Sequence, residues 1–218
     1  MQTRLSTEER QTEIVAAALQ LARDTSPAQI TTTDIALAIG VTQGAVFKHF
    51  PTKDAIWVAA VRWVREALMQ TVTHAAADAV SPVDALAAMF RAHVDFVIAH
   101  PGVPRLIFHE LQQPADSATK QEVRLLLQGY RKLLLDTLER AVREGQVIDD
   151  LDREAAATTF VGLIQGVVLL LLFELRLVVT LAGLGQVKAG LQNVPEGVRE
   201  SCHSRLLTGP AACRPASA

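Results

Sequence analysis

The stretch TTTDIALAIGVTQGAVFKHFPTK, residues 31–53, carries the fold signal of this chain. A short helix is expected from about Thr33 to Ile39, entered through a run of threonines and ended by Gly40. Thr42 then caps a further helix expected to end near Phe50-Pro51. Two short helices joined by a tight, Gly-containing turn make a helix-turn-helix arrangement. Ala36 is small enough for close helix approach, and Gly40 tolerates the left-handed backbone that the turn needs. Ile35, Ile39, Val41 and Val46 form an apolar seam, expected to pack on Ile14, Ala18 and Leu21 of a preceding helix. Gln43, Gly44, Ala45, Phe47, Lys48 and His49 are then left on or near the outer face.

That outer face fits DNA chemistry. A recognition helix enters the major groove with its N-terminal residues at base edges. Gln43 can pair bidentately with adenine, and Ala45 offers a methyl contact to thymine. Gly44 lets the backbone come close to phosphate or sugar, while Lys48, His49 and Lys53 supply donors for phosphates. Free N–H groups near Thr32 and Thr33, and near Thr52 and Lys53, can take phosphate oxygens at helix N-termini. From Ile35 to Lys53 there is no carboxylate. Spacing by itself also fits an ordinary helical hairpin.

Extended to Val61, the run TTTDIALAIGVTQGAVFKHFPTKDAIWVAAV resembles the N-terminal DNA-binding domain of TetR/AcrR-family transcriptional regulators. The likeness spans roughly Glu8 to Val61 and rests on Ile-Ala, Gly-Val, and the aromatic-x-His-Phe-x-x-Lys ending. It implies a homodimeric, repressor-like protein that sets its third helix in the major groove of a palindromic operator. Half-sites would then lie about 34–36 Å apart or slightly more. The family usually has Tyr where this chain has Phe47, which keeps the packing but lacks a phosphate hydrogen bond worth about 1 kcal/mol.

Composition sets outer limits. The chain has 218 residues, 50% hydrophobic, 20% charged and 5% aromatic, with two cysteines and a formal net charge of −2. So much apolar material excludes disorder over most of the length, and two cysteines exclude a disulfide framework. The polar start MQTRLSTEERQ lacks a signal-peptide core, so a cytoplasmic protein is expected. A pI near 6.3 gives no hint of nucleic acid, because it averages a small DNA-reading head with a larger acidic body.

The rest reads as helices in short loops: an all-α chain without sustained strand alternation or internal repeat. The first helix is expected over Glu8–Asp24, capped by Thr7 or Ser6, and the fourth from Thr52 to about Ala79. Ser81-Pro82 opens a fifth helix reaching His100, where Pro101-Gly102 ends it. A sixth covers Pro104–Gln112, and a seventh runs from Ser117 to Glu144, closed by Gly145. Asp149, Asp150 and Asp152 begin an apolar eighth, Gly183 and Gly185 mark a break, and a last helix is expected over Pro195–Leu207. The expected domains are 1–52 for DNA binding, 53–208 for effector binding and dimerisation, and 209–218 as a tail.

The resemblance implies an effector pocket among the fourth to eighth helices. By periodicity and residue type its candidates are Trp63, Met89, His93, Phe96, Phe108, His109, Leu126, Tyr130 and Phe173. Each could equally be core; His93 and Tyr130 stand out as polar groups on otherwise apolar faces. The apolar run Phe160–Ala182 is long enough to span a bilayer, but Gln165, Glu174 and Arg176 interrupt it. A buried subunit interface is the better expectation, with Gly162, Gly166, Leu170 and Leu206 in it and no membrane partner.

Sharper chemistry finds little support. His93, His100, His109 and Glu110 match no recognised metal-ligand spacing, so neither metal nor cofactor is expected. Cys202 and Cys213, with Arg199, Arg205 and Arg214 nearby, leave a redox switch open as a minor alternative. No phosphate loop, nucleophile elbow or HExxH appears, so catalysis is not expected. The alternative from another class is a helical small-molecule-binding or scaffold protein without DNA binding, supported only by Phe47.

Overall fold

A computed structural model describes residues 6–172 of the chain. Among these residues there are eight helices and no strand: α1 (Thr7–Leu21), α2 (Thr32–Ala38), α3 (Gln43–Phe47), α4 (Lys53–Ala77), α5 (Pro82–Ala99), α6 (Gly102–Gln112), α7 (Ala118–Arg143) and α8 (Arg153–Leu172).

Local chemistry places most helix starts. Ser6 forms a capping box with Glu9, its hydroxyl accepting from the Glu9 N–H at 3.2 Å while the Glu9 carboxylate accepts from the Ser6 N–H at 2.7 Å. Thr31 and Asp34 repeat the device at α2. Thr42, Thr52, Ser81 and Ser117 cap α3, α4, α5 and α7 through their side-chain oxygens. Gly40 adopts φ 67° in the turn between α2 and α3, the left-handed backbone that a side chain would strain. There the Val41 N–H donates to the Ala36 carbonyl at 2.9 Å, across the buried Ala36 methyl.

Three ends differ from expectation. α1 stops at Leu21 rather than Asp24, because Arg23, Asp24 and Thr25 turn back onto the carbonyls of Gln20 and Leu21. α3 stops at Phe47, and the His49 and Phe50 N–H groups both close on the Val46 carbonyl. Pro101-Gly102 follows the end of α5 at Ala99 and also starts α6, ahead of the expected Pro104. Pro101 takes helical angles (φ −65°, ψ −16°) as the N-cap of α6, and Gly102 is its first residue. The expected break at Gly183 and Gly185, the helix Pro195–Leu207 and the tail lie outside the described residues.

α4 is the spine. Ile56, Ala60, Val61, Val64 and Val72 are fully buried along it. It packs on α1 at one end and on α5 and α7 along its length. Ile14 and Ala18 of α1 meet Ile35 of α2 and Val46 of α3 in the same core, with Leu21, Ile39 and Val41 partly buried at its margin. The helix-turn-helix therefore sits on α1 and the start of α4, and α5 to α8 build the body beyond it.

Candidate nucleic-acid interface and effector cavity

Of the residues expected at the DNA face, Gln43, Gly44, Phe47 and Lys48 are exposed and Ala45 is half-buried. Val46 is fully buried, so the short helix presents opposite faces to core and solvent. The Gln43 Nε2 donates to the Thr32 hydroxyl at 2.7 Å, which ties the start of α3 to the start of α2. Thr32 is buried and Thr33 exposed, so Thr32 orients Gln43 while Thr33 faces solvent. A β-carbon at Gly44 would meet only the Thr42 Oγ1, at 4.0 Å, leaving its backbone open to approach.

Phe47 is 43% exposed on the outer face, because Val46 fills the core side of this turn. It is a bare aromatic surface on the outer face. His49 is half-buried and lines a crevice between α1 and α4 with Gln11 and Phe50. Its carbonyl accepts from the Gln11 Nε2 at 3.3 Å, and its Nδ1 is buried without a hydrogen-bond partner. The turn after Phe47 carries it away from the outer face.

Lys53 donates to the Ala28 carbonyl at 2.9 Å, which fixes its ammonium near the start of α4. The acidic group that matters here lies just outside the carboxylate-free run. Asp34 is exposed and accepts from the Thr31 hydroxyl at 2.7 Å and the Thr31 N–H at 2.8 Å, which holds its carboxyl below the ordinary range. The T-x-x-D spacing is the sequence signal for it.

The body holds a cavity of about 70 Å³, walled by α4, α5, α6, α7 and α8. His93, Phe96, Phe108, Leu126 and Tyr130 line it, as expected from residue type. Three other candidates do not. Met89 is fully buried in solid core. Trp63 lies in an aromatic group with His100 (ring centroids 5.1 Å) and Phe96 (6.2 Å), beside a crevice between α1 and the α5–α6 junction. His109 pairs with Gln113 one turn along α6, with 3.4 Å between its Nε2 and the amide nitrogen. Phe173 lies outside the described residues. The rest of the wall is apolar, including Val103 and Pro104 of α6, except for Gln165 of α8. Periodicity alone gave no reason to choose Gln165, which the sequence shows only as a polar break in an apolar run.

His93 and Tyr130 are set edge to face, ring centroids 5.4 Å apart. The His93 Nδ1 and the Tyr130 hydroxyl are both buried without a hydrogen-bond partner. Burial pushes the His93 imidazole down to about 4 and the Tyr130 phenol up, so both are neutral near pH 7. Among the described residues no three His, Cys, Asp or Glu side chains gather to hold a metal. His100 lies instead against Trp63 and Phe96, and Glu110 accepts from the Ser117 hydroxyl at 3.3 Å.

Residues 14–60 match the model of the bacterial regulatory proteins of the tetR family, and residues 79–169 match that of a tetracyclin repressor-like C-terminal domain. The chain belongs to the TetR family. It is a DNA-binding transcriptional regulator of the helix-turn-helix type.

The nucleoid occlusion factor SlmA of Vibrio campbellii is 25% identical over 159 residues, spanning 72% of this chain and 81% of that protein. A putative transcriptional regulator from Pseudomonas aeruginosa PAO1 shares the fold at TM-score 0.73 and 22% identity, covering 93% of this chain and 96% of its own. The regulator FadR from Bacillus subtilis, solved in complex with stearoyl-CoA, shares it at TM-score 0.67 and 19% identity, covering 76% and 89%.

One further feature of this TetR-family chain was not legible beforehand. Glu122 of α7 accepts from Arg62 (Nη2 2.9 Å, Nε 3.1 Å) and from Arg65 (Nε 3.1 Å), joining α7 to α4. Burial pushes Glu122 up, and the two arginines outweigh it, holding its carboxyl below the ordinary range. On α8, Gly162 and Gly166 are exposed, and a β-carbon at either would meet nothing within 4 Å. Leu163 and Leu169 flank them, 53% and 45% exposed, and Leu170 is half-buried. By length and composition α8 could cross a membrane, with 17% of its apolar window buried. Leu206, Cys202 and Cys213, with their neighbouring arginines, lie outside the described residues.

Proposed function

We propose that this regulator is a homodimeric repressor. In that reading α3 occupies the major groove of each half of a palindromic operator, and a small apolar or amphipathic effector in the α4–α8 cavity releases it. The observation that carries the proposal is the route from cavity to head through α6. Val103 and Pro104 line the cavity. Gly102, the residue before them, lies against the Leu19 carbonyl of α1. A ligand that displaces α6 therefore pushes on the helix supporting the helix-turn-helix. Each tenfold loss of DNA affinity corresponds to about 1.4 kcal/mol of coupling between the two sites.

Gln43 and Ala45 are assigned to base edges, with Thr33, Gly44, Lys48, Lys53 and the Thr32 N–H to the phosphate backbone. The head is residues 1–52, the effector and dimer part 53–208, and the tail 209–218. The exposed Gly162–Leu163–Gly166–Leu169 strip on α8 fits a subunit contact, since a large exposed apolar patch marks an interface. A second subunit, rather than lipid, is the expected cover in a cytoplasmic regulator. The apolar lining agrees with the acyl chemistry of the ligand seen in the FadR neighbour.

Fluorescence polarisation on duplexes from the region upstream of the chain's own reading frame tests the proposal. Expected are saturable binding of a palindromic duplex, two chains per site, and release by at least one apolar compound in a thermal-shift screen. Failure to bind that region or any duplex from a random selection would overturn it.

A further inference from the structure

The cavity poses a chemical question through its two unpartnered polar groups. Tyr130 is 5% exposed, its hydroxyl is buried, and no acceptor or donor meets it. The Nδ1 of the adjacent His93 is likewise buried and unpartnered. Buried polar groups in native proteins nearly always have a partner, and two unpartnered groups lining one cavity, on rings whose centroids are 5.4 Å apart, are unusual. The remaining wall is apolar apart from Gln165, and among the described residues no Asp, Glu, Lys or Arg lines it.

We infer, resting on the effector-cavity reading above, that this site takes an uncharged ligand whose single carbonyl or hydroxyl oxygen bonds Tyr130 and His93. A carbonyl oxygen has two lone pairs and accepts from the phenol O–H and the imidazole Nδ1–H together. A hydroxyl does the same with one bond reversed, because both protein groups change roles by rotating or changing tautomer. A carboxylate would bring a buried charge with no Lys or Arg in the lining to meet it, and pairing it by protonating His93 would work against the burial of that imidazole. An ammonium faces the same cost with no carboxylate to meet it. The hydrocarbon part of the ligand is held by Phe96, Leu126, Ile164 and Val168. At about 70 Å³ the space is smaller than the roughly 150 Å³ cavity that holds benzene in a well-studied case, so entry must part the walls. That parting is the work that displaces α6.

A matched set of six-membered rings tests the assignment on the full-length protein: cyclohexanone, cyclohexanol, cyclohexane, cyclohexanecarboxylate and cyclohexylammonium. Binding is read near pH 8 by saturation-transfer NMR and by competition titration. The ketone and alcohol should bind, cyclohexane more weakly, and the two ions not at all. Tyr130→Phe should reduce affinity for the ketone about tenfold, the loss of one buried hydrogen bond, and leave cyclohexane unchanged. His93→Phe should act in the same direction.

Carboxylate binding as tight as the ketone would overturn the uncharged-ligand assignment while leaving the effector reading intact. Equal losses for ketone and cyclohexane in both variants would overturn the role of the polar pair. If no ring binds, water alone serves the two groups, and both this assignment and the effector reading of the cavity are wrong. Operator binding, measured separately, would still stand.

Discussion

Gly102 and Leu19 are in direct backbone contact: a β-carbon at Gly102 would lie 1.9 Å from the Leu19 carbonyl oxygen. The first turn of α6 therefore rests on the last turn of α1, at a distance that only glycine permits. Gly102→Ala should force the two helices apart at a cost of about 1–3 kcal/mol, lowering Tm by several degrees. It should also change operator affinity, because α1 carries the head. Gly129→Ala is the comparison, since its nearest neighbour is the Met69 methyl at 3.7 Å and helix propensity then favours alanine. Calorimetry of the two variants should give shifts of opposite sign; equal shifts would refute the close contact.

The unpartnered Tyr130 hydroxyl is a cost the folded protein carries when the cavity is empty. Tyr130→Phe should raise the stability of the ligand-free protein, by up to about 1–3 kcal/mol, instead of lowering it. Urea denaturation of both proteins measures this. A destabilised variant would mean that the hydroxyl has a partner after all.

His93 makes stability depend on pH with a definite sign. Its proton is bound near 6.5 in the unfolded chain and only near about 4 in the folded one. Above pH 6.5 neither state holds the proton and the group costs nothing. As pH falls from 6.5 towards 4, the unfolded chain binds a proton that the folded chain refuses, and stability drops. The limiting slope is about 1.4 kcal/mol per pH unit. His93→Phe removes this share, so its stability relative to the parent should rise between about pH 7 and pH 5. Parallel denaturation profiles for the two proteins across that range would exclude the effect.

At the DNA face, Gln43 and Lys53 should fail in different ways. Gln43→Ala removes the side chain proposed for base edges and its bond to Thr32, so operator and scrambled duplex should converge in affinity. Lys53→Ala should weaken every duplex alike and lower the salt slope by about one. Titrations at three salt concentrations separate the two. A sequence-selective loss in Lys53→Ala would reverse the assignment.

The exposed strip of α8 should hold two subunits together. Leu163→Glu places a charge in its centre and is expected to shift sedimentation from dimer to monomer while helical content stays unchanged. A variant that remains dimeric would move the interface elsewhere.

Helix order, most helix starts and the helix-turn-helix were legible from residues alone, because each depends on groups a few positions apart. Ser6 with Glu9 and Thr31 with Asp34 are three residues apart, and each pair satisfies the open N–H groups of its own helix. Gly40 is local in the same sense, since its positive φ depends on one missing side chain. The family resemblance came from the same short window.

Which residues face the cavity was decided only in three dimensions. Periodicity shows that a helix has an apolar face, but it does not say which part of that face meets a neighbour and which meets a space. Met89 and Tyr130 are both deeply buried, yet only Tyr130 reaches the cavity, while Gln165 lines it from within an apolar run. His49 lies in the crevice between α1 and α4 because the turn after Phe47 carries it there, and position 102 needs glycine because the Leu19 carbonyl lies where a side chain would be. Caps and turns are settled within one chain segment, so sequence determines them. Cavities, close approaches and exposed faces depend on how rigid helices cross, and only the packed structure determines that.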